Sequence, residues 1–205
     1  MDTAAAAALI LVIHPSVPVK NVKELIALAK TKPGVFNFGS NSTGTTSHLS
    51  AELFKTMTGT RMTHVPYKGA GQAVIALASG EIDMLFTTII AAVPHIDSGR
   101  MRALAVTTLK RAPSLPKLPT VDETLKGFES DNWYGMFFPA NTPASIITRF
   151  HAEMTKVLTD ADVRSLMERQ GAIPLGSPPD EMSAYLKREI DKYAKVIQAS
   201  GARAD

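Results

Sequence analysis

The 205-residue chain is 45% hydrophobic and 20% charged, close to globular norms, which excludes wholesale disorder. A net charge of only +3, dispersed along the chain, and 6% aromatics exclude a basic, base-stacking nucleic-acid surface. The absence of cysteine excludes disulfides, thiol nucleophiles and thiolate metal sites.

The longest apolar run, Ala4 to Ile13, is too short to cross a bilayer. Asp2 stands where an export signal needs a basic residue, and no small-x-small cleavage site follows, so the chain carries no convincing export address. Leu9-Ile10-Leu11-Val12-Ile13 is predicted to be a buried strand; the alternative is the remnant of an export signal. Asn21 then caps a helix burying Val22, Leu25, Ile26 and Ala29, which Pro33-Gly34 ends. Val35 to Phe38 alternates like a strand, and a second helix starts near Thr45 and stops at Gly59. The cycle recurs: a strand over Arg61–Val65, a helix over Gly71–Ser79, a strand over Ile82–Phe86, a short helix over Ala91–Ser98 and a strand over Leu104–Thr107. Such alternation predicts a mostly parallel sheet with helices on both faces. Pro113, Pro116 and Pro119 keep residues 110–120 irregular. A boundary is placed near residues 128–132, and a late strand runs from Trp133 to Phe138. Beyond it the pattern is mainly helical. Ile146, Ile147, Phe150, Met154, Val157 and Leu158 form one apolar stripe, and Met182 to Ile197 carry another; both are expected to be core.

The segment Gly39 to His48 joins a strand to a helix. From Ser40 to Ser47 it has no charge, and six of those eight residues carry hydroxyls. Free amides at a helix start, the helix dipole and the hydroxyls together suit a carboxylate or a phosphate. The spacing Gly39-x-x-x-x-Gly44 nearly matches a nucleotide-binding P-loop, but Thr45 stands where its lysine belongs. Tyr67-Lys68-Gly69 occupies the next strand-to-helix turn, and Thr87 and Thr88 end the strand after that. In a parallel sheet all three fall on the edge where ligands bind. The five histidines show no zinc-helix spacing, and no nucleophile elbow or carboxylate pair is present, so nothing points to catalysis or to a cofactor.

The run NFGSNSTGTTSHL, Asn37 to Leu49 in this chain, resembles the glycine-serine-threonine loop of the Bug family, the extracytoplasmic receptors of tripartite tricarboxylate transporters. Val65-Pro66-Tyr67-Lys68-Gly69, Arg102 to Thr107, Trp133-Tyr134-Gly135 and Pro139 to Pro143 follow in the same family order. The resemblance implies a periplasmic-binding-protein-like α/β fold of the type II, Venus-flytrap kind. It implies a non-catalytic receptor that holds a small carboxylate and delivers it to membrane transporter subunits. Site residues carried over are Ser40, Thr43, Gly44, Thr45, Thr46, His48, Tyr67 and Thr87. Ser42 replaces a common family glycine, and Thr87 a common aspartate. On this pattern residues 1–130 correspond to a complete second lobe and 131–205 to the returning part of a first lobe whose leading strands are missing. That incompleteness predicts a homo-oligomer or swapped dimer, which light scattering on the chain would reveal. The two competing functions are a phosphate- or nucleotide-using enzyme on the near-P-loop and a remnant lobe that no longer binds ligand.

Overall fold

A computed structural model describes residues 2–202, and within it strands and helices alternate. The strand β1 (Asp2–Ile13) leads to α1 (Val22–Thr31), β2 (Asn37–Ser40), α2 (Thr46–Thr58) and β3 (Thr63–Pro66). Then come α3 (Ala70–Ser79), β4 (Met84–Thr88), α4 (Ile89–Asp97) and β5 (Arg102–Val106). After a single 3-10 turn (Val121–Glu123) the chain forms β6 (Asp131–Met136), α5 (Ala144–Thr159), α6 (Ala161–Arg169), β7 (Ala172–Ser177) and α7 (Pro179–Ser200). No helix of the described residues is long and apolar enough to cross a membrane.

Local chemistry sets the helix ends. The Asn21 side chain accepts the Glu24 amide at 2.9 Å and starts α1. Thr45 caps α2, and Gly59, at φ +65°, closes it in the left-handed conformation.

The strand order is β3-β2-β4-β1-β5. β2 pairs parallel with both β3 and β4. β1 is antiparallel to β4 and to β5, so four strands share a direction and β1 is inserted against them. Burial on both faces explains why its second half is a continuous apolar run. Leu9, Leu11 and Ile13 join Phe38, Phe54, Phe86 and Phe128 under α1 and α2, whereas Ile10 and Val12 join Leu77, Leu85 and Ile89 under α3 and α4.

The first half of β1 is equally strand, and β6 and β7 both pair with it antiparallel, over Asp2–Ala8 and Thr3–Ala7 respectively. The alanine run is therefore sheet, well beyond the five residues predicted. Small side chains suit it, since Ala5 to Ala8 are all buried.

Three expectations need correction. The β2 strand lies two residues later than the alternation implied, because pairing with β3 begins at Asn37↔Thr63. β7 puts a strand into a stretch expected to be mainly helical, and α6 precedes it between the two striped helices. The C-terminal stripes are only partly core. Leu158, Met182 and Val196 are buried, but Ile146 and Val157 are each 52% exposed and Ile190 is 58% exposed. Among the described residues this end of the sheet has only β1, β6 and β7, too little surface to cover both stripes.

Candidate ligand-binding site

Because β2, β3 and β4 are parallel, the turns that follow them share one edge of the sheet. The loop after β2 is wound by its own hydroxyls. Ser40 Oγ and Thr45 Oγ1 both donate to the Ser42 carbonyl, at 3.0 and 2.8 Å. Gly44 turns the chain at φ +77°, a conformation that suits glycine. Ser42 is not among the positive-φ residues, so its side chain causes no backbone strain. Thr45 Oγ1 accepts the His48 amide at 3.5 Å, while the Thr46 and Ser47 amides, in the first turn of α2, have no acceptor within the helix. Across the hollow Thr88 occupies the N-cap of α4, and its side chain makes no capping bond.

Between these two helix starts lies a cavity of about 370 Å³. Asn41, Gly44, Thr45, Thr46 and Ser47 form one side, Thr88 and Leu9 another, and Asn132 of β6 closes it. Thr46 Oγ1 donates to Asn132 Oδ1 at 3.3 Å, and Asn132 Nδ2 donates to Tyr134 Oη at 2.8 Å. Asn41 Oδ1 is buried without a partner. No lysine or arginine lines the hollow. Two converging helix dipoles, unpaired amides and neutral hydroxyls favour an anion there without full charge neutralisation. A larger hollow of about 440 Å³, beside α4, is walled mainly by Val93, Ile96, Leu115 and Leu118 and lacks such a donor set.

Of the residues expected at the site, Gly44, Thr45 and Thr46 line the cavity. Ser40 is fully buried beneath the loop, with its Oγ 2.7 Å from His64 Nε2. Thr43 is outside the lining. His48 is buried in the first turn of α2, where its Nδ1 accepts the Gly44 amide at 3.1 Å. Tyr67 is on the expected edge, but its hydroxyl is given to Glu81 at 2.9 Å; burial and that carboxylate push its pKa up to about 12. Thr87 is fully buried and its Oγ1 has no partner; its strand neighbour Thr88 lines the cavity instead. Asn132 was not foreseen, and no sequence motif marks it: it arrives through the pairing of β6 with β1. Among the described residues no group of three or more histidines and carboxylates is gathered as a metal site.

Two neighbours of the cavity carry displaced pKa values. Burial, reinforced by His48, lowers His64 to about 4, and burial, reinforced by Glu129, raises Asp131 to about 7. The signs oppose each other. The depressed imidazole favours the unfolded chain as pH falls from about 6.5 towards 4. The raised carboxyl holds its proton in the folded chain, so its contribution to stability is lost as pH rises from about 4 through 7. Asp131→Asn is therefore expected to raise Tm at pH 8 by roughly 3–6 °C and to change it little at pH 4, as thermal unfolding at the two pH values will show.

An α/β sheet whose parallel strand ends frame a neutral, amide-rich hollow is the fold of the periplasmic solute-binding proteins. The chain belongs to the tripartite tricarboxylate transporter family receptor group, whose family model matches residues 2–202. It is 33% identical over 190 residues to the UPF0065 protein of the tcbD-tcbE intergenic region of Pseudomonas sp. strain P51, covering 92% of this chain and 56% of that one. It is 32% identical to protein BugT of Bordetella pertussis, covering 95% and 60%. The chain thus spans less than two thirds of these curated relatives. Among solved structures, R. palustris Rpa4515 with adipate superposes with a TM-score of 0.85 at 35% identity, covering 98% of this chain and 68% of that one. MatC from Rhodopseudomonas palustris with bound malate gives 0.78 at 26% identity, covering 95% and 68%.

Proposed function

We propose that this chain is the carboxylate-holding part of a non-catalytic solute-binding receptor serving a tripartite transporter at the outer face of the cytoplasmic membrane. The single observation that carries this reading is the 370 Å³ cavity set between the starts of α2 and α4 and free of cationic side chains. Such a cradle matches a carboxylate, whose charge amides and hydroxyls can satisfy. The ligands named for two structural relatives, adipate and malate, are both dicarboxylates. A nucleotide is disfavoured because Thr45 replaces the P-loop lysine and no other cation faces the hollow.

In this reading residues 1–130 supply one lobe and 131–205 the returning part of the other, with Asn132 reaching the cavity from the second part. The exposed Ile146, Val157 and Ile190 support association through the α5–α7 face. The deciding experiment is thermal unfolding with C4 to C8 dicarboxylates, set beside inorganic phosphate and Mg-ATP. A dicarboxylate at a hundred times its Kd is expected to add about 2.7 kcal/mol, which is a rise in Tm of roughly 5–10 °C. A shift with Mg-ATP alone supports the nucleotide enzyme, and no shift with any compound supports a lobe that has lost its ligand.

A further inference from the structure

We infer that His48 is a positioning residue, whose Nδ1 holds the Gly44 amide and so the shape of the anion cradle. The inference rests on the carboxylate reading of the cavity.

His48 grips the loop twice. Its ring nitrogen accepts the Gly44 amide at 3.1 Å, and its own amide donates to Thr45 Oγ1 at 3.5 Å. Gly44 and Thr45 both line the cavity. A nitrogen that accepts carries no proton, so the ring hydrogen is on Nε2, which faces Glu52 Oε1 at 3.7 Å. A second ring supports the loop from below. His64 stacks on His48 at 3.9 Å between centroids and 12° between planes, and Phe38 lies nearly parallel to both rings, 4.9 Å from His64 and 6.1 Å from His48. The one Ser40 hydroxyl hydrogen goes to the Ser42 carbonyl, so His64 Nε2 is the donor to Ser40 Oγ. The two imidazoles thus brace the same loop, one at Gly44 and one at Ser40.

The ionisable groups facing this pair are Glu52 and Lys55 of α2, with each histidine facing the other. Burial opposes the Glu52 carboxylate, but His48 and Lys55 outweigh it and hold its pKa below the usual value. Burial, reinforced by His48, holds the His64 pKa down at about 4. A side chain at position 48 that offers no acceptor at the place of Nδ1 leaves the Gly44 N–H without its tie.

Two substitutions separate positioning from packing. In His48→Asn the amide oxygen falls near the place of Nδ1; in His48→Gln it falls near Nε2 and Gly44 is left unpaired. With adipate as probe, calorimetry is expected to give His48→Asn an affinity within about twofold of wild type and His48→Gln one about three- to tenfold weaker. Without ligand, the exchange of the Gly44 amide, corrected for intrinsic rate, should be slow in wild type and His48→Asn and fast in His48→Gln. Equal affinities for the Asn and Gln variants, or Gly44 exchange indifferent to the substitutions, would each overturn the inference. If adipate binds none of the three proteins the carboxylate reading fails, and Gly44 exchange still decides whether His48 braces the loop.

Discussion

Thr88→Asp is expected to weaken adipate binding at least a hundredfold while leaving the protein folded. Thr88 lines the cavity from the N-cap of α4 and makes no capping bond there. Aspartate is a favourable cap and complements the helix dipole, so the fold should gain about 0.5–1 kcal/mol. The same carboxylate occupies the place of the anion. Two like charges about 4–5 Å apart at an effective dielectric of about 20 repel by roughly 3–4 kcal/mol, which is two to three orders of magnitude in Kd. Thermal unfolding and calorimetry on one sample test both halves. Binding unchanged in a folded Thr88→Asp protein would remove the anion from this cavity, and Thr88→Asn serves as the uncharged control.

Phe86→Ala is expected to cost about 3–5 kcal/mol, lowering the urea midpoint and bringing Tm down by roughly 10 °C. Phe86 is fully buried in β4, with the Phe54 and Phe128 rings each 6.1 Å from its own. Those rings come from α2 and from the segment leading into β6, so the cavity left behind is bounded by three elements that cannot all close on it. Its carbonyl also accepts the Ser47 hydroxyl at the start of α2. Phe86→Leu, which keeps most of the volume, should lose about 1–1.5 kcal/mol. Equal losses for the two variants would show that packing around this ring is not what holds α2 to the sheet.

Much of this architecture was legible because its signals are local. Asn21, Thr45 and Gly59 mark helix ends through their own side chains or their lack of one. The β/α alternation then required parallel strands, and parallel strands placed the three polar turns on one edge. What escaped depends on contacts distant in sequence. Nothing near Leu9 to Ile13 shows that β1 runs against its neighbours, since a strand buried on both faces reads the same in either direction. Thr87 and Thr88 differ by one residue, and a strand turns successive side chains to opposite faces, so choosing between them requires the register. Asn132 carries no pattern and gains its place only when β6 meets β1. The stripes of α5 and α7 are plainly amphipathic, but amphipathicity states that a helix has an apolar face and not whether a sheet is there to receive it.

The central place of β1 also governs how this chain can reach its native state. Leu9 must find Thr88, Ile10 must find Val106, and Ala6 must find both Trp133 and Ile173. β1 is thus complete only when strands far along the chain have formed, and loop closures of this span make folding slow. During that wait an Ala-, Leu- and Ile-rich edge is open on both sides, a template for intermolecular pairing. Yield on refolding should consequently fall steeply as protein concentration rises, well before any change in the stability of the finished molecule.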